Sequence, residues 1–162
     1  MADETPQGAV LEEPPRGTYP ARLDDKGRLK LPEKFQKYLA GLPEKKLFVT
    51  SKDRIMGIVY PIAIWRENEK LRASYRENPK ALQRVWFTAM DLGSEAEMDG
   101  QGRVQFSSDL RRELGIENSP VRVLVVNGAI EVMSEERFQA KRAEAAQSAA
   151  DDLEILERAG FK

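Results

Sequence analysis

Apolar and polar residues alternate along residues 18–23 and again along 28–31, a period of two that predicts short half-buried strands with residues 24–27 as the turn between them. Pro32 opens a brief helix carried by Phe35 and Leu39 and stopped by Gly41. Strand formers return at 47–50 and 55–60 around the polar turn Ser51-Lys52-Asp53-Arg54, which predicts a hairpin. From Pro61 the period lengthens to that of a helix. Ile64, Trp65 and Leu71 form one stripe, Asn78-Pro79 breaks it, and Leu82, Val85, Trp86 and Met90 form a second helix from residue 80 to about 89. Trp65, Trp86, Phe87 and Phe138 stand beside aliphatics at helical spacing, which predicts core packing rather than a base-stacking platform.

The chain then repeats itself. Leu23-Asp24-Asp25-Lys26-Gly27-Arg28-Leu29-Lys30-Leu31 returns 75 residues later as Met98-Asp99-Gly100-Gln101-Gly102-Arg103-Val104-Gln105-Phe106. Each copy continues into an amphipathic stretch ending at Gly41 or Gly115, then Leu42 or Ile116, then a run of strand formers at 47–50 or 121–126. Ser107 or Ser108 is the expected helix cap where the first copy has Pro32. Asn127-Gly128 between 121–126 and 129–133 predicts a two-residue hairpin. Ser134, followed by Glu135 and Glu136, caps a last helix running through Phe138 towards Ile155, alanine-rich at 140–150 and offering little to bury. Two copies of one supersecondary unit predict a pseudo-two-fold body in which neither half buries its apolar face alone.

Composition sharpens this reading. The 162 residues are 41% hydrophobic and 33% charged, room for about one globular domain. No apolar run approaches the roughly 18 residues of a membrane span, and the first 15 residues carry four acids and no base, the opposite of a signal peptide, so a cytoplasmic protein is expected. The absence of cysteine and histidine excludes disulfides, thiolate nucleophiles and the commonest general base and metal ligands, which argues against an enzyme.

The net charge of −1 hides a strong asymmetry: residues 1–15 carry −4, residues 16–90 carry +9, and residues 91–162 carry −6. A disordered acidic segment 1–15, a basic first unit 16–90 and an acidic second unit 91–162 are the expected divisions. Such asymmetry suits a polyanion surface on one unit and a solvated or partner-facing surface on the other, or attraction between the two halves across their interface.

The Asp-x-x-Gly-Arg turns carry the candidate chemistry. A glycine there permits positive φ, and the arginine after it can fork onto a phosphate or onto the O6 and N7 of guanine. Arg22, Lys26, Lys30 and Lys34 surround Arg28, whereas Arg103 has Gln101 and Gln105 at the matching positions, so Arg28 is the expected principal contact and Arg103 the weaker or structural one. The plainer alternative is that Asp24 and Asp99 accept hydrogen bonds within their own turns and pair with Arg28 and Arg103.

These paired motifs resemble the MraZ family of bacterial transcriptional regulators, built from two tandem AbrB-like (SpoVT/AbrB) domains. The matching residues are Arg16-Gly17, the stretch Leu23 to Leu29 with Leu31-Pro32, Tyr60-Pro61 with Trp65, Leu82-Gln83-Arg84, and Met98 to Arg103 with Leu110-Arg111, covering about residues 16–138. Ser107, Val126 and Met133 depart from residues common in the family. The resemblance implies an α+β fold of two swapped-hairpin β units forming a pseudo-two-fold barrel with flanking helices. It further implies a homo-oligomeric ring that binds double-stranded DNA at short direct repeats, in the promoter preceding the division and cell-wall gene cluster.

By position, Arg28 with Lys26, Lys30 and Arg22 corresponds to the DNA-contacting loop, Arg103 to its second copy, and Asp24, Gly27, Asp99 and Gly102 to the turns that hold them. A nucleoid-associated repressor without cofactor or metal is the expected function. The rival is an AbrB-type, antitoxin-like module that uses the acidic second half and the C-terminal helix to hold a protein partner.

Overall fold

A computed structural model describes residues 13–162, so the disorder expected for residues 1–15 falls, as far as residue 12, outside the described residues. Eight strands form one antiparallel sheet: β1 (Tyr19–Leu23), β2 (Arg28–Lys30), β3 (Leu47–Thr50), β4 (Gly57–Pro61), β5 (Ser94–Ala96), β6 (Arg103–Gln105), β7 (Pro120–Val126) and β8 (Ala129–Ser134). Their spatial order is β5-β3-β4-β8-β7-β1-β2-β6. The terminal strands β5 and β6 are consecutive in the chain and joined by the tight turn at Asp99–Gly102, so the sheet curls into a nearly closed barrel. No described helix is long and apolar enough to cross a membrane.

The order shows how the two copies interleave. The first strand of each unit pairs with the third-strand position of the other, β1 with β7 and β5 with β3. At the centre of the β2–β6 pairing Leu29 lies opposite Val104, its own counterpart in the repeat, with Arg28 opposite Gln105 and Lys30 opposite Arg103. The bonds Leu31 N to Gly102 O and Phe106 N to Gly27 O, both about one hydrogen-bond length, extend the same symmetry beyond the strands. Neither unit has a complete sheet by itself; the interleaving supplies the missing neighbours.

Side chains that alternate inward, among them Leu23, Leu29, Val104, Val121, Val123 and Val132, fill the barrel with no exposure. Phe35 and Leu110, from the short helices α1 (Glu33–Ala40) and α4 (Ser108–Leu114), close the barrel ends and are equally buried. At about 25 cal/mol per Å² of apolar surface removed from water, each such large side chain contributes roughly 1.5–3 kcal/mol. Truncating Leu29 or Val104 would open a cavity at the dyad itself.

Strands β3 and β4 are buried on both faces because α2 (Ile62–Ser74) and α3 (Pro79–Leu92) cover their outer side. Phe48, Ile58 and Tyr60 meet Trp65 and Ala89 in a second apolar cluster, where Trp65 stacks on Trp86 with 5.0 Å between ring centroids. Asn78 caps α3 through Ala81 N at 3.1 Å, and Pro79 occupies its first turn.

Three local expectations change. The strand expected from residue 55 starts at Gly57, because Asp53 Oδ1 accepts from Ile55 N and Met56 N at 2.9 and 3.0 Å and keeps both residues in the turn. Pro61 ends β4 and stands at the N-cap, so the helix begins one residue later. Two aromatics expected in the core lie outside it: Phe87 is 67% exposed on the outer side of α3, and Phe138 is only half-buried, with Arg122 and Arg142 over its ring.

The final helix is two helices, α5 (Glu135–Gln147) and α6 (Ala149–Arg158), separated at Ser148 with φ −113° and ψ 12°. Ser134 caps α5 by accepting from Arg137 N at 3.0 Å. The root of α5 is tied to β7 by Arg122, which pairs with Glu135 at 3.0 Å and lies 4.5 Å from the Phe138 ring centroid. Hydrogen bonds from Gln139 and then Arg122 hold the Glu135 carboxyl below its ordinary range. Nothing on either helix is buried.

Candidate nucleic-acid interface

Each Asp-x-x-Gly-Arg turn is built by its own aspartate. Asp24 N donates to Arg28 O at 2.9 Å and Gly27 N to Asp24 O at 3.0 Å, while Asp24 Oδ1 accepts from Lys26 N and Arg28 N, both at 2.9 Å. In the second turn Asp99 N donates to Arg103 O at 2.9 Å, Gly102 N to Asp99 O at 3.0 Å, and Asp99 Oδ1 accepts from Gln101 N and Arg103 N at 2.9 Å. The glycines have φ of +80° and +77°, a region that any side chain would enter only under strain. The pairing with the own arginine weighed from sequence is present in both: Arg28 Nε meets Asp24 Oδ2 at 2.8 Å and Arg103 Nε meets Asp99 Oδ2 at 2.9 Å.

That pairing positions the arginines without consuming them. Only Nε is engaged with the aspartate, and no described residue accepts a hydrogen bond from the Nη groups of either side chain. Each side chain is about a quarter exposed. A guanidinium oriented through Nε keeps its two Nη groups, four N–H donors in one plane, for an acceptor such as phosphate or a guanine edge. Both carboxyls titrate below the ordinary aspartate value, chiefly because the backbone N–H of Arg28 or of Arg103 bonds the charged form.

The surroundings of the two turns are set by the opposite unit. Gln105 Nε2 reaches across the β2–β6 pairing to Lys26 O at 2.9 Å, and the Lys30 ammonium reaches the other way to Gln101 O. Arg111, on α4, lies over Gly27 and donates to Phe106 O, with Glu117 3.3 Å from its Nε. Its repeat counterpart Gln36, on α1, lies over Gly102 and donates to Leu31 O at 2.7 Å. Sequence reasoning did not single out Gln36, Arg111 or Gln105 as neighbours of the opposite turn. The signal was in the repeat offset, since residues 36 and 111 occupy the same place in the two copies, but only the interleaving says that each faces the other unit.

On the outer face of the sheet the basic residues form a row. Arg22 on β1 lies opposite Lys30 on β2, and Lys30 lies opposite Arg103 on β6. The three point outward because Leu23, Leu29 and Val104 between them point in. With neighbouring strands about 4.8 Å apart, three cations stand within roughly 10 Å. Like charges directly opposite one another are destabilising, a repulsion that the Arg103–Asp99 pairing reduces and that a bound polyanion relieves further. Lys26 is exposed at the tip of the first turn, Arg28 lies in the adjoining row, and Lys34 turns away to stand 5.9 Å from the Tyr19 ring centroid. Lys30, counted from sequence with Arg28, therefore sits in register with Arg103.

A barrel of two interleaved hairpin units, each closed by an Asp-x-x-Gly-Arg turn, defines the class: a double AbrB-like protein. No profile of a known protein family matches the chain. Individual relatives do match. The chain is 36% identical over 128 residues to the transcriptional regulator MraZ of Acidobacterium capsulatum, spanning 76% of this chain and 84% of that relative. It is 36% identical over 126 residues to that of Saccharopolyspora erythraea, spanning 76% and 82%, and 38% identical over 120 residues to that of Mycobacterium tuberculosis, spanning 72% and 76%. The chain belongs to the MraZ family of transcriptional regulators.

Proposed function

We propose that this protein is a sequence-specific, double-stranded-DNA-binding regulator that represses the promoter of a division and cell-wall gene cluster by occupying short direct repeats there. The observation that carries the reading is the row Arg22, Lys30, Arg103 with Arg28 beside it, assembled from both units on one exposed face. The major groove, about 12 Å wide, admits a two-stranded ribbon, and β2 with β6 is such a ribbon with an arginine fork held at each end. Arg28 and Arg103 read base edges or phosphates; Arg22, Lys26 and Lys30 neutralise phosphates. Asp24, Gly27, Asp99 and Gly102 fix the geometry. Residues 16–90 and 91–162 act as two halves of one binding unit.

One such face carries few cations and binds weakly, since each neutralised phosphate contributes through counterion release alone. A homo-oligomeric ring presenting several faces to successive repeats supplies the rest by avidity. Nucleoid association follows from that mode of binding, and neither cofactor nor catalytic step is required. The test is a gel shift with the DNA upstream of the protein's own gene, repeated with the direct repeats scrambled. Retarded migration with the native fragment alone supports the proposal. Equal binding to both fragments removes sequence specificity, and no binding to either turns attention to an antitoxin-like protein-binding role.

A further inference from the structure

Large apolar side chains left in water concentrate on two surfaces. Among the described residues ten such side chains are exposed, and eight of them belong either to α2 and α3 (Leu71, Val85, Phe87, Met90) or to α6 and the tail after it (Leu153, Ile155, Leu156, Phe161). The first surface borders a groove of about 600 Å³ between α2 and α3, floored by Leu82, Trp86 and Met90. The second is an amphipathic helix with no buried residue of its own. Contiguous apolar surface of this kind marks an interaction site.

The charges match as well. Arg72 and Arg76 line the groove, with Arg72 4.7 Å from the Trp86 ring centroid. The helix α6 carries Asp151, Asp152, Glu154 and Glu157 against a single Arg158. Both surfaces are exposed at once in one protomer, so they do not cover each other within it. The arm formed by α5 and α6 is anchored at its root by Arg122, and its two helices together measure about 35 Å along their axes at 1.5 Å per residue.

We infer that the groove between α2 and α3 receives the C-terminal helix α6 of a second copy of this chain, with Leu153 and Leu156 seated against Trp86 and Phe87, and Asp152, which borders that face, beside Arg72 and Arg76. This rests on the homo-oligomer part of the proposed function and is independent of DNA. Helix-in-groove recognition places apolar anchors at one helical face, which Leu153 and Leu156 share at a spacing of three. The docking gives the acidic C-terminal region a use that DNA binding does not.

Because the chain has no cysteine, introduced thiols report the contact directly. Phe87→Cys on one full-length, tagged copy and Leu156→Cys on an untagged copy are mixed without DNA under a mild oxidant. The expected product is a tagged–untagged disulfide dimer, formed several-fold more than with Arg158→Cys, which lies on the polar side of α6. A second variant, Leu153→Glu with Leu156→Glu, leaves the protomer core untouched and should reduce the mass seen by light scattering. An equal yield with Arg158→Cys overturns the docking, and so does an intramolecular disulfide when Phe87→Cys and Leu156→Cys are placed together in one chain. An undiminished large assembly with no cross-link also overturns it while leaving the ring standing. A wild-type monomer of 18.3 kDa overturns both.

Discussion

The turns at Asp24–Arg28 and at Asp99–Arg103 share one backbone and one internal hydrogen-bond set, yet they stand in different company. The first has Arg111 over its glycine and Gln105 on its carbonyl; the second has Gln36 over its glycine and the Lys30 ammonium on its carbonyl. Every one of these four neighbours comes from the opposite unit. The lesson is that an interleaved pseudo-dimer separates what a turn is from what surrounds it. The turn is local chemistry, and its electrostatic setting is supplied in trans.

Replacing the arginines should break this comparison most forcefully. Losing a charge-assisted, bidentate contact costs about 1–3 kcal/mol, so Arg28→Ala and Arg103→Ala are each expected to weaken operator binding about tenfold or more, and to a similar extent. The row that Arg103 shares with Lys30 and Arg22 is the reason to expect parity, in place of the weaker Arg103 expected from the residues beside each turn in sequence. Titrations of both variants by fluorescence anisotropy decide the matter; a Arg103→Ala protein that binds like wild type would show that the first turn acts alone.

Stability should respond next. Gly27→Ala and Gly102→Ala both place a side chain at positive φ, costing about 1–2 kcal/mol, or roughly 2–8 °C in melting temperature for a chain of this size. An added Cβ would also lie 1.9 Å from Arg111 Nη1 at Gly27 and 2.1 Å from Gln36 Cδ at Gly102. Gly27→Ala is expected to melt lower, because moving the Arg111 guanidinium breaks its bond to Phe106 O and its pairing with Glu117, whereas Gln36 forfeits one bond. Calorimetry that ranks the two the other way would show that Arg111 is freely displaced.

A smaller effect separates the cations. If Lys30 meets a phosphate, Lys30→Gln should reduce the slope of log affinity against log salt by about one per engaged protomer, from a wild-type magnitude above about 4. An unchanged slope would leave Lys30 as a cross-strand tether to Gln101 and nothing more.

The smallest effect concerns pH, where the two turns should behave alike. Asp24 and Asp99 titrate below 3.8 in the folded protein. A depressed carboxyl contributes stability that is fully present above its unfolded value and is lost as pH falls through the folded one. Carboxyl resonances of both residues should therefore titrate together in the acid range, and Asp24→Asn or Asp99→Asn should each soften the acid limb of the stability profile. Separate midpoints would mean that Arg111 and Lys30 act through the turns rather than around them.

Much of the molecule was legible in the residue order, and the reasons are local. Alternation placed β1 and β2, a run of strand formers placed β7, the Asn127-Gly128 pair fixed its hairpin through φ of 51° and 83°, and the caps Ser107 and Ser134 sit where their helices begin. The Asp-x-x-Gly-Arg turns were readable because all their bonds run within five residues. Phe87 and the break at Ser148 were not, since helical spacing reports which face is apolar but not whether anything covers it.

The sequence by itself determined the repeat, the two turns and the identity of every cation. Tertiary structure alone decided their grouping, because β2 and β6 pair antiparallel about Leu29 and Val104 and so bring Lys30 to Arg103, Gln105 to Lys26 and Arg111 to Gly27. Contacts between residues some 75 positions apart depend on which strand becomes a neighbour, and that choice is made by burying both apolar faces in one barrel, a condition no local stretch of chain can express.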